Sequence, residues 1–165
     1  MVDDTFLNES WSATINNFST LSSTRFSGLS NYQNLYNEAA WLAVQMYNPQ
    51  YASQIGYIQY ALWAVFSPSA LNSLSGSALQ SAQAWLASAQ QQTFTVGQFS
   101  NVFFYTPIAG TDVCPNFPGG KCPLNSPQEF IYVQVPEGGT AAAYLIGALL
   151  MCFGAMYLKP RWQTQ

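Results

Sequence analysis

Residues 32–68 read YQNLYNEAAWLAVQMYNPQYASQIGYIQYALWAVFSP. In the first half, Tyr32, Leu35, Tyr36, Ala39, Leu42, Ala43, Met46 and Tyr47 recur at helical spacing, which predicts a helix over residues 32–47 with one apolar and aromatic face. Asn48-Pro49 ends it. The pattern repeats over residues 51–66 with Ile55, Ile58, Leu62, Val65 and Phe66, and Ser67-Pro68 stops it.

Working outward, a third helix is expected over residues 77–92, where Leu79, Ala82, Trp85, Leu86 and Ala89 share a stripe. Before the helices, WSATINNF at residues 11–18 alternates Trp11, Ala13 and Ile15 with polar residues and reads as a strand, followed by a Ser/Thr-rich linker. After them, NVFFYT at 101–106 and QEFIYVQV at 128–135 are strand-like and are joined by a loop containing Cys114 and Cys122. Strand, three helices and two strands predict an α+β fold, a small β-sheet with three packed helices.

The composition narrows the function classes. Charged residues form only 7% of the chain, against about 25% in ordinary globular proteins. Its surface must therefore be solvated mainly by hydroxyls and amides, as suits an extracytoplasmic protein. The acids Asp3, Asp4, Glu9, Glu38, Asp112, Glu129 and Glu137 face only Arg25 and Lys121 before the chain's last stretch, so nucleic acid is not an expected partner. Histidine is absent altogether, which removes the commonest general base and the commonest metal ligand. Neither an enzyme nor a cofactor is expected.

The last stretch is of a different kind. Residues 140–158 carry no charge, and at about 1.5 Å per residue they would cover roughly 28 Å, close to the hydrocarbon thickness of a bilayer. A single C-terminal transmembrane helix is the expected structure, with a buried core helix as the alternative. Lys159 and Arg161 follow directly, which predicts a cytoplasmic C-terminus and a body on the other side of the membrane. Ala143 and Gly147 form a small-xxx-small step, read either as a helix-packing contact or as the ordinary frequency of small residues here. Cys152 reads as a small packing residue within the span.

Val135-Pro136-Glu137, then an apolar span, then the basic end of Lys159 and Arg161, resembles the PEP-CTERM sorting signal, a C-terminal tag of Gram-negative bacteria. The resemblance implies recognition and cleavage by an exosortase-type membrane protease. It divides the chain into an extracytoplasmic α+β domain at 1–134 and a sorting signal at 135–161. Pro136 favours extended backbone at Val135, and Gly138 and Gly139 keep the motif out of the helix. Where the family's motif has a second proline this chain has Gly138, and its basic end is thinner than the family's arginine cluster. Export also calls for a leader, whereas Met1-Val2-Asp3-Asp4 has neither a basic n-region nor an apolar h-region. The expectation is a leader and a first strand upstream of Met1. The alternative is a tail-anchored membrane protein acting through helix–helix contacts.

The segments AAWLAVQMY, IQYALWAVF, FSNVFFYTP and PQEFIYV resemble a group of such tagged proteins whose bodies are similar to the thioester-forming domains of bacterial surface adhesins. The resemblance maps the thioester-acceptor glutamine onto Gln59, within Ile58-Gln59-Tyr60-Ala61-Leu62-Trp63. The matching cysteine is absent, since Val2 precedes Asp3-Asp4. Beside Ile55, Leu62 and Trp63, Gln59 is expected to be at least partly buried, as a core amide or a latent acceptor.

Other candidates keep two readings each. Cys114 and Cys122 sit in DVCPNFPGGKCP, spaced as a short disulfide allows; the rivals are a metal site, for which the ligands are too few, and free thiols. Glu38, beside Ala39 and Ala40, has no second carboxylate at helical spacing and is expected to be solvated or to cap rather than to catalyse. The aromatics Tyr32, Tyr36, Trp41, Tyr47, Tyr51, Tyr57, Tyr60 and Trp63 read mostly as core, with a sugar-stacking face as the alternative. That alternative would make extracellular polysaccharide a partner.

Overall fold

The computed structural model describes residues 10–114 and 128–135. Three α-helices form: α1 (Tyr32–Gln45), α2 (Ile55–Phe66) and α3 (Gly76–Gln90). Three strands, β1 (Ala13–Asn16), β2 (Val102–Pro107) and β3 (Phe130–Val133), make one antiparallel sheet in the order β1-β2-β3. The protein is therefore α+β, with the element order that the hydrophobic periodicity implies. The expected transmembrane helix at 140–158, together with Pro136, Glu137, Lys159, Arg161 and Cys122, lies outside the described residues. Among the described residues, no helix is long and apolar enough to cross a membrane.

The prolines set the helix boundaries. Asn48 takes extended backbone before Pro49, and its side chain accepts from the Gln50 N–H at 3.0 Å. This cap starts a 3-10 segment, Pro49–Gln54, so α2 begins at Ile55 and not at Tyr51 as its apolar pattern suggests. Ser67-Pro68 ends α2 and opens a second 3-10 segment, Pro68–Ser73. Gly110, at φ +76°, occupies the left-handed region in the turn after β2 that a side chain would strain. There Thr111 Oγ1 accepts from Ser12 N at 3.0 Å and ties the turn back to the residue before β1.

Packing places α1 between the sheet and the other two helices. Tyr36, Ala40 and Ala43 face the sheet, where they join Leu21, Phe99, Val102, Phe104 and Val133. Ala39 and Leu42 face the other way, onto Ile58, Ala61 and Val65 of α2 and Ala89 of α3. Alanine at so many contacts lets the helices approach closely, while Tyr36 and Phe104, both fully buried, fill the space against the sheet. The Trp85 indole donates to Gln54 Oε1 at 2.9 Å, fastening α3 to the 3-10 segment before α2.

Strand pairing decides which face of the sheet is covered. Asn16 pairs with Phe104, and Phe104 with Ile131, on the helix side. Ile15 pairs with Tyr105, and Tyr105 with Phe130, on the opposite side. The apolar alternation of Trp11, Ala13 and Ile15 therefore belongs to the outer face, and Ile15 is 60% exposed. A buried amide, Asn16, takes the inward position because Thr106 of β2 meets it with a hydroxyl, Asn16 Nδ2 donating to Thr106 Oγ1 at 2.9 Å.

Candidate functional site

The polar centre of the fold is Glu129, the residue immediately before β3. Its Oε1 accepts from the Thr106 hydroxyl and from the Arg25 backbone N–H at 3.2 Å. Its Oε2 accepts from the Tyr36 phenol. Tyr36 in turn accepts from the Phe26 N–H at 3.3 Å. Through these bonds one carboxylate joins β2, α1, the 24–26 segment and, by way of Thr106, Asn16 of β1. No buried side-chain nitrogen or oxygen among the described residues lacks a partner, so the network is complete within the fold.

Electrostatics follow from the burial. The Tyr36 phenol is held far above its ordinary value, first by desolvation and then by its hydrogen bond to the Glu129 carboxylate, both of which oppose the phenolate. A phenol fixed in its neutral form serves as a donor and not as a base. Glu38 is raised by desolvation. It is 4% exposed and accepts from the Asn34 Nδ2 one turn earlier, which corrects the expectation of a solvated or capping acid. Its neighbours Ala39 and Ala40 are fully buried as well, so this stretch of α1 lies inside the fold.

Beside Glu129 opens a cavity of about 520 Å³. Its apolar wall is formed by Phe26, Met46, Leu62, Trp63, Phe66 and Ile131, and its polar groups come from Arg25, Gln59, Ser67, Gln128 and Glu129. The Phe26 and Phe66 rings stack at 4.5 Å, and Arg25 Cζ lies 5.9 Å from the Phe26 ring centre. Trp63 is braced edge-on by Tyr60 at 5.2 Å. Helix α2 thus presents two faces. Ile58, Ala61 and Val65 enter the core, while Gln59, Leu62, Trp63 and Phe66 line the cavity.

This division corrects the expectation for Gln59, which is exposed on the cavity wall and not partly buried. Its helical neighbours Ile55, Leu62 and Trp63 are apolar, but Ile55 is 40% exposed and Leu62 and Trp63 line the same cavity, so none of them covers the amide. Of the eight aromatics considered for a sugar-stacking face, only Trp63 borders the cavity. Tyr36 is core, Trp41 and Tyr51 pack on Trp85, and Tyr47 is 55% exposed at the end of α1. No common surface unites the eight.

Cys114 is 1% exposed and disulfide-bonded. Cys122, the expected partner, is among the residues not described. Val135, the first residue of the Val135-Pro136-Glu137 motif, is 47% exposed. Among the described residues no group of three or more His, Cys, Asp or Glu side chains could hold a metal ion.

Glu129 and the cavity escaped the sequence reading. The signal for Glu129 was its position, a lone acid at the start of an apolar strand, in a chain with few charges. No protein-family model matches the chain, and neither a curated protein nor a solved structure is detectably similar to it.

Proposed function

We propose that the chain is a non-enzymatic protein of a Gram-negative bacterium, exported and then sorted to the cell surface or beyond by its C-terminal signal. On this reading residues 140–158 span the inner membrane as one helix, with Lys159 and Arg161 on the cytoplasmic side. Val135-Pro136-Glu137 waits just outside for an exosortase-type membrane protease, and the α+β body is released or retained at the surface, where it meets extracellular polysaccharide or takes part in adhesion. On this resemblance Gln59 falls at the thioester-acceptor position of the adhesin domains, and Val2 stands where their cysteine precedes the acid pair.

The observation that carries this reading is the disulfide at buried Cys114. Disulfides persist in oxidising compartments and are rare in the cytosol. The same bond weighs against a tail-anchored protein with a cytosolic body. A surface solvated by amides and hydroxyls, with charge at 7%, supports the same compartment.

The test is expression in a host that possesses an exosortase, followed by intact-mass measurement of the mature protein. The reading requires loss of the tail near Val135-Pro136-Glu137. A full-length tail in cells that process other tagged proteins would leave residues 140–158 as an anchor only.

A further inference from the structure

We propose that the cavity beside Glu129 is a binding site for a neutral sugar. The inference gives the polysaccharide contact of the preceding reading a location, and it rests on that reading only for the source of the glycan.

The volume, about 520 Å³, lies within the range of roughly 300–1,000 Å³ usual for small-molecule sites. What distinguishes the cavity is its mixture of groups. One wall is aromatic and aliphatic, and Trp63, met edge-on by Tyr60, offers its indole plane there, while Phe26 and Phe66 stack on each other. A sugar ring has one face of C–H groups suited to such planes, and a rim of hydroxyls that each donate and accept. The side-chain amides of Gln59 and Gln128 line the same cavity, and neither hydrogen-bonds any described residue. An amide both donates and accepts, so two of them match adjacent hydroxyls without requiring either sign of charge.

The charges present argue for a neutral ligand. Arg25 and Glu129 border the cavity together, so a net anion meets the carboxylate and a net cation meets the guanidinium. Three of the acceptor positions of Glu129 are already committed to Tyr36, Thr106 and the Arg25 N–H. A carboxylate has about four such positions, which leaves it able to accept one ligand hydroxyl while staying fixed. Because its partners come from α1, β2 and the 24–26 segment, the polar side of the site is held rigid before any ligand arrives.

The experiment is titration calorimetry on the full chain, in a detergent without a sugar head group, with maltohexaose, cellohexaose and chitohexaose as separate probes and decanoate as an apolar anionic control. Saturable binding of one oligosaccharide is expected. It should weaken by about tenfold or more in Gln59→Leu and in Trp63→Ala, as loss of a polar contact and of a stacking plane implies. Gln59 is exposed, so Gln59→Leu tests the site even if Trp63→Ala fails to fold. No binding of any of the three sugars, equal binding by Gln59→Leu, or saturation by decanoate alone would overturn the proposal. Each of these results is independent of whether the tail is cleaved in cells.

Discussion

The phenol of Tyr36, in the second turn of α1, donates to Oε2 of Glu129, which lies 93 residues further along the chain at the entrance to β3. Tyr36 has no solvent exposure, so this bond forms where an unmet hydroxyl would be expensive. It also fixes the carboxylate that borders the cavity, so the same contact joins the helical layer to the sheet and shapes the site.

Removing either partner should therefore destabilise the protein. Tyr36→Phe is expected to cost about 1–3 kcal/mol, the range for a hydrogen bond to a charged group and for the partner left behind. Glu129→Ala should cost at least as much, because it strands the Thr106 hydroxyl as well. In a double-mutant cycle followed by urea unfolding, the two losses should fall short of additivity by about 0.5–3 kcal/mol. Additive losses would mean that the two side chains do not act as one unit.

Alkaline titration should expose the same relationship. The folded state holds the Tyr36 phenol neutral, with its value raised above the ordinary one near 10. A raised value contributes stability that is full below the unfolded value and is lost as pH climbs through the folded one. Stability should thus decline above about pH 10, where the unfolded chain begins to ionise this tyrosine. The decline should be shallower in Tyr36→Phe, read by urea unfolding at a series of pH values.

Glu38 leads to the opposite kind of variant. Burial raises its value, so the buried carboxylate is unfavourable at neutral pH and the folded state gains relative stability as acid protonates it. Glu38→Gln keeps an acceptor for Asn34 Nδ2 while removing the charge. It should be more stable than the parent near pH 7, and the advantage should fade as pH falls toward and below the ordinary glutamate value of about 4.3. An advantage that does not change with pH would show that the effect comes from packing and not from the charge.

The helices were legible because their apolar residues recur at one spacing and prolines mark where they stop. Residues 32–47 became Tyr32–Gln45, and 77–92 became Gly76–Gln90. The strands were legible as segments, but their inward face was not. Composition at 11–18 favours Ile15 for the core, yet the register places Asn16 there, because Thr106 waits on β2 with a hydroxyl. Glu38 and Gln59 failed for a related reason. Whether a polar residue on a helix is buried depends on which neighbour covers it, and that neighbour is distant in sequence. Glu129 depends on contacts from α1, β2 and the 24–26 segment at once, so no local pattern could reveal it.

Cys114 should prove important to stability out of proportion to its size. Closing the short loop from Cys114 to Cys122 would contribute roughly 2.5 kcal/mol in the chain-entropy account. Cys114 is also buried, so Cys114→Ser puts a hydroxyl where water does not reach it. Non-reducing peptide mapping of exported protein should find Cys114 joined to Cys122, and reductant should lower the melting temperature of the parent but not of Cys114→Ser. Finding both thiols open to alkylation in exported protein would remove the main support for an oxidising compartment.

The tail supplies the last prediction. If the protease reads the Glu137 carboxylate directly, Glu137→Ala should leave uncleaved protein in the membrane while the body folds as before. The sequence around it explains why the side chain should matter. Pro136 fixes its own backbone and favours extension at Val135, but Gly138 relaxes the chain where the similar tags carry a second proline. On the proposed sorting function, a less rigid motif would leave more of the discrimination to the carboxylate. Gly138→Pro should accordingly speed processing, and it should partly rescue Glu137→Ala if the two features contribute independently. Membrane fractionation with an antibody to the body, followed by intact mass, measures both. Cleavage of Glu137→Ala at the parent's rate would show that the protease reads the backbone or the span and not this acid.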